Sequence, residues 1–187
     1  MVMLESEREL IEKSLKGDID SWGKIVTRYK QAVFGVALHI LGRPADAEDA
    51  TQDAFIRAYQ SLRTFDIERK FSTWIFTVTA NICKNKLRRD KFFSPLKHIS
   101  KVVGGEDPAK TAARDERHQL LRDALQELDE GYRMPLVLRF YQDMDYKEIA
   151  EVLELPEGTV KTRLHRGKLE LKKILEIKGV KADAVDA

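Results

Sequence analysis

The sequence predicts an all-α protein made of two small helical domains joined by a flexible linker. Three observations carry this. Apolar residues recur at three- and four-residue spacing along most of the chain, marking one helix face after another. No stretch keeps the two-residue alternation of a half-buried strand. From Ser94 to about Ala112 the periodicity lapses, and Ser94-Pro95, Gly104-Gly105 and Asp107-Pro108 read as turns.

The first helix is expected over Glu5 to Lys16, stopping near Gly17. Asp18 or Asp20 can cap a second helix that runs to about Leu41, with Ile25, Tyr29, Ala32, Val33, Val36, Ala37 and Ile40 on its apolar side. Gly42-Arg43-Pro44 breaks the chain. The third helix, about Ala45 to Leu62, carries a stripe of small residues (Ala47, Ala50, Ala54, Ala58, then Leu62) that permits close packing. Its outward face sets Ile56 among Asp49, Gln52, Asp53 and Gln60, with Phe55 at the border. Such a face suits a basic, partly apolar partner. It also suits a solvated surface with one stray aliphatic residue.

The loop TFDIERKF, Thr64 to Phe71, leads into a fourth helix expected from Ser72 to about Phe92. Phe71, Ile75, Val78 and Ile82 mark its core side, and Trp74 at the edge reads as packing. Thr77, Asn81, Lys84, Arg88 and Lys91 share another face. From Lys84 to Lys101 there are seven Lys/Arg and one acid, Asp90. A basic stripe beside an aromatic loop suits single-stranded nucleic acid; Phe65 and Phe71 can equally be core.

Beyond the linker, His118, Leu121, Leu125 and Leu128 predict one helix, and Tyr132 to Tyr141 another, starting near Asp129 with Pro135 in its first turn. Asp145 to Lys173 then reads as two helices and a tight turn. Asp145 and Glu148 form a capping box, Ile149, Ala150 and Leu153 an apolar face, and Pro156 suits the first turn of the second helix. Val160, Leu164, Gly167, Leu171 and Ile174 mark that helix's buried face, where Gly167 admits a closely approaching backbone. Opposite lie Thr162, His165 and Arg166, flanked by Lys161 and Lys168. This is a helix-turn-helix pattern, whose second helix can enter the DNA major groove. A helical hairpin with a solvated basic face is the alternative.

Composition excludes several classes. With 187 residues, 43% of them hydrophobic, the chain can bury a core. The net charge of +2 matters less than its distribution. Cys83 is the single cysteine, so no internal disulfide framework is possible, and a reducing compartment fits. The N-terminus, MVMLESERELIEK, is too charged for a signal peptide. The longest apolar run, Val33 to Leu41, contains Gly35 and His39 and falls short of the ~20 residues a membrane helix needs. A cytoplasmic location without membrane insertion is expected. The histidines at 39, 98, 118 and 165 have no metal-ligand spacing with Cys83 or each other. There is no Gly-rich phosphate loop and no nucleophile elbow. Neither a cofactor nor a catalytic activity is expected.

Four stretches, GDIDSWGKIVTRY, ADAEDATQDAFIRAYQSL, FSTWIFTVTANICKNKLRRD and YKEIAEVLELPEGTVKTRLHRGK, together span most of residues 10 to 175. In that order the chain resembles a bacterial RNA polymerase sigma factor of the extracytoplasmic-function (group 4) type. The resemblance implies a sigma-2 domain over 1–93, a linker over 94–112, a sigma-4 domain over 113–178 and a tail over 179–187. It implies that Asp49, Gln52, Asp53 and Ile56 dock on the clamp helices of the largest subunit of core RNA polymerase. Phe65 and Asn81 would serve the promoter −10 element as single strand, and Lys84, Arg88 and Arg89 would track its phosphates. Lys161, Thr162, His165, Arg166 and Lys168 would contact the −35 element in duplex DNA. An anti-sigma factor is an expected partner. One departure stands out: Glu154 occupies a turn position where the family often has Gly, so a slightly different turn is expected there. Two other readings are a helix-turn-helix repressor or activator and a helical adaptor without DNA; the acidic-apolar face and the N-terminal basic stripe argue against the first.

Overall fold

In the computed structural model, residues 5–93 and 112–179 are described, with side chains for 5–90 and 119–179. The expected linker and the tail from 180 on lie outside the described residues, as does the Lys91 side chain. Among the described residues there is no strand. The described residues form eight α-helices: α1 (Glu7–Leu15), α2 (Ile19–Leu41), α3 (Pro44–Ser61), α4 (Phe71–Phe93), α5 (Ala112–Glu127), α6 (Glu130–Tyr141), α7 (Tyr146–Leu153) and α8 (Glu157–Ile177). A short 3-10 turn, Leu62–Thr64, follows α3.

Local chemistry sets the helix ends. Ser6 and Glu9 form a capping box at α1. The Asp18 carboxylate accepts from the backbone N–H groups of Asp20 and Ser21, so Asp18 rather than Asp20 caps α2. Gly42, at φ 82°, ends α2 in the left-handed conformation that glycine adopts without steric cost. Pro44 proves to be the first residue of α3, where its missing N–H costs nothing.

The N-terminal unit packs α2, α3 and α4 together, with α1 against α2. Ala47, Ala50, Ala54 and Ala58 are fully buried, and their small volume lets α3 lie close to its neighbours. Ile25, Val33, Val36, Ile40 and Ile75 fill the remaining space. Each such side chain contributes about 1.5–3 kcal/mol by leaving water. One end of this core is aromatic: Phe71 meets Trp22, Tyr29, Phe65 and Trp74 with ring centroids 5.2–6.4 Å apart.

In the C-terminal unit α8 packs on α5, α6 and α7. A Cβ on Gly167 would lie 3.1 Å from Leu136 Cδ1 and 3.2 Å from Tyr132 Cβ. The close approach foreseen there is real, but side chains of α6 make it, not a backbone. Two expectations need correction. Pro135 sits in the second turn of α6, not the first, because Asp129 caps Gly131 and starts the helix at Glu130. The helix runs through the proline, giving up one backbone hydrogen bond; burial of Met134, Leu136, Val137 and Leu138 around it holds the helix together. Glu154 keeps the left-handed conformation, φ 55° and ψ 47°, rather than a different turn. Its N–H reaches the carbonyls of Ala150 and Glu151, offsetting a cost of about 1 kcal/mol. Val152, unnoticed in the periodicity, is buried in α7 beside Ile149, while Ala150 and Leu153 are half-buried.

The two units also pack on each other, α5 and α6 against α2, and α7 against α4. Arg133, buried to 7% exposure, is the main polar link. Its Nη1 donates to the Ile40 carbonyl and to Gln126 Oε1, both at 2.6 Å. Its Nη2 donates to the carbonyls of Gln126 at 2.9 Å and Leu128 at 2.8 Å. One guanidinium thus caps the C-terminal ends of two helices, α2 and α5, where carbonyls otherwise lack donors. Desolvation lowers its pKa from a very high starting value, so the side chain remains a cation.

Candidate functional site

The helix-turn-helix comprises α7 and α8. Asp145 accepts from the Glu148 N–H at 2.8 Å, and Glu148 Oε2 accepts from the Asp145 N–H at 2.9 Å, the reciprocal box that starts α7. In α8, Val160, Leu164, Gly167, Leu171 and Leu175 are buried. Lys161, Thr162, His165, Arg166 and Lys168 are all exposed. The structure therefore brings the five expected −35 candidates onto the solvent side of one helix. Thr162 Oγ1 donates back to the Gly158 carbonyl at 2.9 Å, which leaves it as an acceptor toward a ligand. Lys161 Nζ lies 5.8 Å from the centre of the Tyr146 ring, and Lys168 Nζ 5.7 Å from that of Phe140. Arg166 borders an open cleft of about 530 Å³ together with Tyr132, Thr159, Thr162 and Arg163. Arg163 was not singled out from the sequence; its presence in the basic run KTRLHRGK was the available signal.

In α4, Asn81, Lys84, Arg88 and Arg89 are exposed, while Thr77 is half-buried. Arg88 Nη2 donates to Asn85 Oδ1 at 3.2 Å. Phe65, by contrast, is buried. It is 8% exposed, its ring 5.5 Å from Phe71 and 5.1 Å from Trp74. It belongs to the aromatic core, just after the 3-10 turn that ends at Thr64. The loop instead offers Arg69 and Lys70, which the sequence showed only as two charges among four. Arg69 pairs with Glu151 of α7 at 2.5 Å, and Lys70 with Glu148 at 2.6 Å.

On α3, Asp49, Gln52, Asp53 and Ile56 share one exposed face, at helical spacing of three and four residues. Ile56 is 55% exposed, and Tyr59 beside it is 40% exposed, its ring tilted on Trp22 at 5.3 Å. Tyr59 extends the apolar part of this face, a role its three-residue spacing from Ile56 could have suggested. Phe55 is buried. Asp49 is not a free acid: Lys86 Nζ of α4 lies 3.3 Å from it.

Among the described residues no grouping of His, Cys, Asp and Glu could hold a metal ion. Cys83 is fully buried, and burial pushes its thiol up to about 12, so it carries no thiolate at neutral pH. Among the described residues no helix is long and apolar enough to cross a membrane.

A helix-turn-helix with an open polar second helix, joined to a helical unit with a basic stripe, defines a DNA-binding protein. Comparison with known proteins narrows the class. Residues 25–93 match Sigma-70 region 2, and residues 118–171 match Sigma-70, region 4. The chain is 33% identical to the ECF RNA polymerase sigma factor SigW of Bacillus subtilis, over 90% of this chain and 96% of that protein. It is 30% identical to the RNA polymerase sigma-H factor of Pseudomonas aeruginosa, over 94% of this chain and 97% of that protein. Among solved structures it is similar to CnrH in complex with the cytosolic domain of CnrY, with a TM-score of 0.70, 25% identity, and coverage of 92% of this chain and 99% of that one. The fold is also that of RpoE from Bartonella quintana, with a TM-score of 0.70, 21% identity, and coverage of 83% and 96%. The chain belongs to the extracytoplasmic-function RNA polymerase sigma factors, which work with core RNA polymerase and promoter DNA to direct promoter-specific transcription initiation.

Proposed function

We propose that this sigma factor reads the −35 element with α8 and opens the −10 element with α4 and the loop before it, while α3 holds core polymerase. The observation that carries this reading is the division of α8: its apolar face is buried, and Lys161, Thr162, His165, Arg166 and Lys168 are exposed together. Duplex contacts at −35 position the enzyme through phosphates and major-groove edges. Asn81 borders the −10 base pocket, and Lys84, Arg88 and Arg89 follow the strand's phosphates, stabilising single strand against an unpairing cost of a few kcal/mol per flipped base. Asp49, Gln52, Asp53 and Ile56 dock on the clamp helices of the largest polymerase subunit. The protein does no chemistry of its own; the polymerase forms the RNA bonds. It works in the cytoplasm, in two domains spanning 1–93 and 113–178. A protein that binds it and keeps it from polymerase, an anti-sigma factor, is the expected regulator; CnrH, similar in fold, is bound to the cytosolic domain of a second protein.

The test is co-purification with core RNA polymerase followed by promoter-dependent run-off transcription. Asn81→Ala and Lys84→Ala should lower permanganate reactivity of −10 thymines more than they lower closed-complex formation. On a template already mismatched across −10, the opening part of that defect should shrink. Equal loss on duplex and mismatched templates would mean these residues supply only general affinity.

A further inference from the structure

Among the α4 cations with described side chains, Lys84, Arg88 and Arg89 are exposed, but Lys86 turns the other way. Its side chain is only 21% exposed, and its Nζ lies against the start of α3. There it donates to the Asp46 carbonyl at 3.4 Å and to Asp49 Oδ2 at 3.3 Å, with Asp46 Oδ1 at 4.0 Å. Arg43 Nε holds the other Asp46 oxygen at 3.1 Å. Asp46 is thus pinned between two cations and largely covered, whereas the Asp49 carboxylate is 71% exposed. No side chain caps α3 at Arg43, and the Asp46 carboxylate in its first turn meets the positive end of the helix dipole. The Lys86 ammonium therefore sits on a fixed anchor, and Asp49 is the one solvent-facing group it touches there.

We infer that Lys86 is a positioning residue for polymerase docking: from α4 it fixes the Asp49 carboxylate of α3, leaving the second carboxylate oxygen for a basic group of core polymerase. This rests on the reading of α3 as the docking helix given above. A carboxylate accepts through two oxygens, so a cation at Oδ2 does not exhaust it. A surface side chain gives up rotamer freedom when it pairs with a partner, and one that is already held has less to lose. An exposed ion pair adds little to folding stability, so the effect of Lys86 falls on binding. Bare charge pulls the other way, because a cation beside Asp49 repels a basic partner. Salt screens that repulsion over a Debye length of about 10 Å at 0.1 M and less above it. It leaves the packing that anchors Lys86 on Asp46 in place, so at raised salt the positioning effect prevails.

The experiment measures binding of the fluorescently labelled full chain to core RNA polymerase in about 0.3 M salt, where charges well apart are screened. Lys86→Met should lower affinity about three- to fivefold, in keeping with one side chain left to be ordered on binding. Lys30→Met, at an exposed position of α2, changes the net charge equally and is the control. Lys86→Arg, which keeps a cation, should stay within about twofold of the parent chain. In an Asp49→Asn background Lys86→Met should cost nothing further, since the carboxylate to be positioned is gone. If Lys86→Met loses helix content, Asp46→Asn is the second variant: it removes the anchor and should weaken binding only while Asp49 is present. An equal loss with and without Asp49 would mean that Lys86 merely ties α3 to α4, and would overturn the proposal. Unchanged or higher affinity of Lys86→Met, while Asp49→Lys with Asp53→Lys and Ile56→Glu abolishes capture of core polymerase, overturns the positioning role and leaves the docking face standing. Full capture by that triple variant overturns both.

Discussion

At position 154 a glutamate holds a left-handed backbone, φ 55°, at the hinge of the helix-turn-helix. An L-residue there carries a steric penalty that glycine does not. Glu154→Gly should therefore stabilise the C-terminal unit by about 1 kcal/mol, seen as a higher denaturation midpoint at unchanged slope. A second residue-scale outcome concerns two neighbouring cations. Arg166 stands at the open cleft beside Thr162, whereas Lys168 leans over the Phe140 ring at the flank. Arg166→Ala should relax preference at one −35 base pair, by about 1–3 kcal/mol, as expected for a fork onto a guanine edge. Lys168→Ala should weaken all sequences alike and flatten the salt dependence. Transcription from a library of −35 variants separates them. A uniform loss for Arg166→Ala would make it a backbone clamp.

At the scale of elements, the two faces of α3 differ strongly. Alanines bury one side completely, and the other sets Ile56 among acids. Asp49→Lys with Asp53→Lys and Ile56→Glu should sharply reduce capture of core polymerase. Helix content by circular dichroism should not change, since all three side chains face solvent. Retention of core enzyme by this variant would remove α3 from the docking surface. The junction of α5, α6 and α2 depends instead on one buried cation. Arg133→Met leaves the carbonyls of Ile40, Gln126 and Leu128 without their donor. A buried acceptor left unmade costs about 1–3 kcal/mol, so a loss of about 3 kcal/mol or more is expected. Amide exchange should quicken first at the end of α5 and the end of α2.

For the whole molecule, two modest DNA sites on one chain reinforce each other through effective concentration, provided their separation matches the promoter. Inserting about five base pairs between the −35 and −10 elements, roughly half a helical turn, turns the two sites to opposite faces of the duplex. Run-off transcription should then fall to the level of a promoter that lacks the −35 element. Unchanged output would mean that the −35 contact by α8 adds nothing to initiation.

What was legible in the sequence was what depends on neighbours along the chain. The capping box at Asp145 follows from local chemistry, and the alanine stripe of α3 and the exposed basic side of α8 follow from spacing, because a helix returns to the same face every three or four residues; the cap of α2 was narrowed only to Asp18 or Asp20. The Glu154 turn was located correctly but expected to differ, since local sterics count the strain and not the two carbonyls that its N–H reaches. Phe65 shows the other limit. Its loop context was ambiguous between a base-stacking ring and core, and only the arrangement of Phe71 and Trp74 around it decided for core. By itself the sequence determined the helices, their apolar faces, and the two-part resemblance that names the family. The tertiary structure alone decided that the parts meet, with Arg133 of one capping Ile40 of the other and Glu148 and Glu151 holding Lys70 and Arg69. Those contacts join residues 78 to 93 positions apart. No periodicity reports them, because what selects them is the desolvation of a shared surface rather than any pattern along the chain.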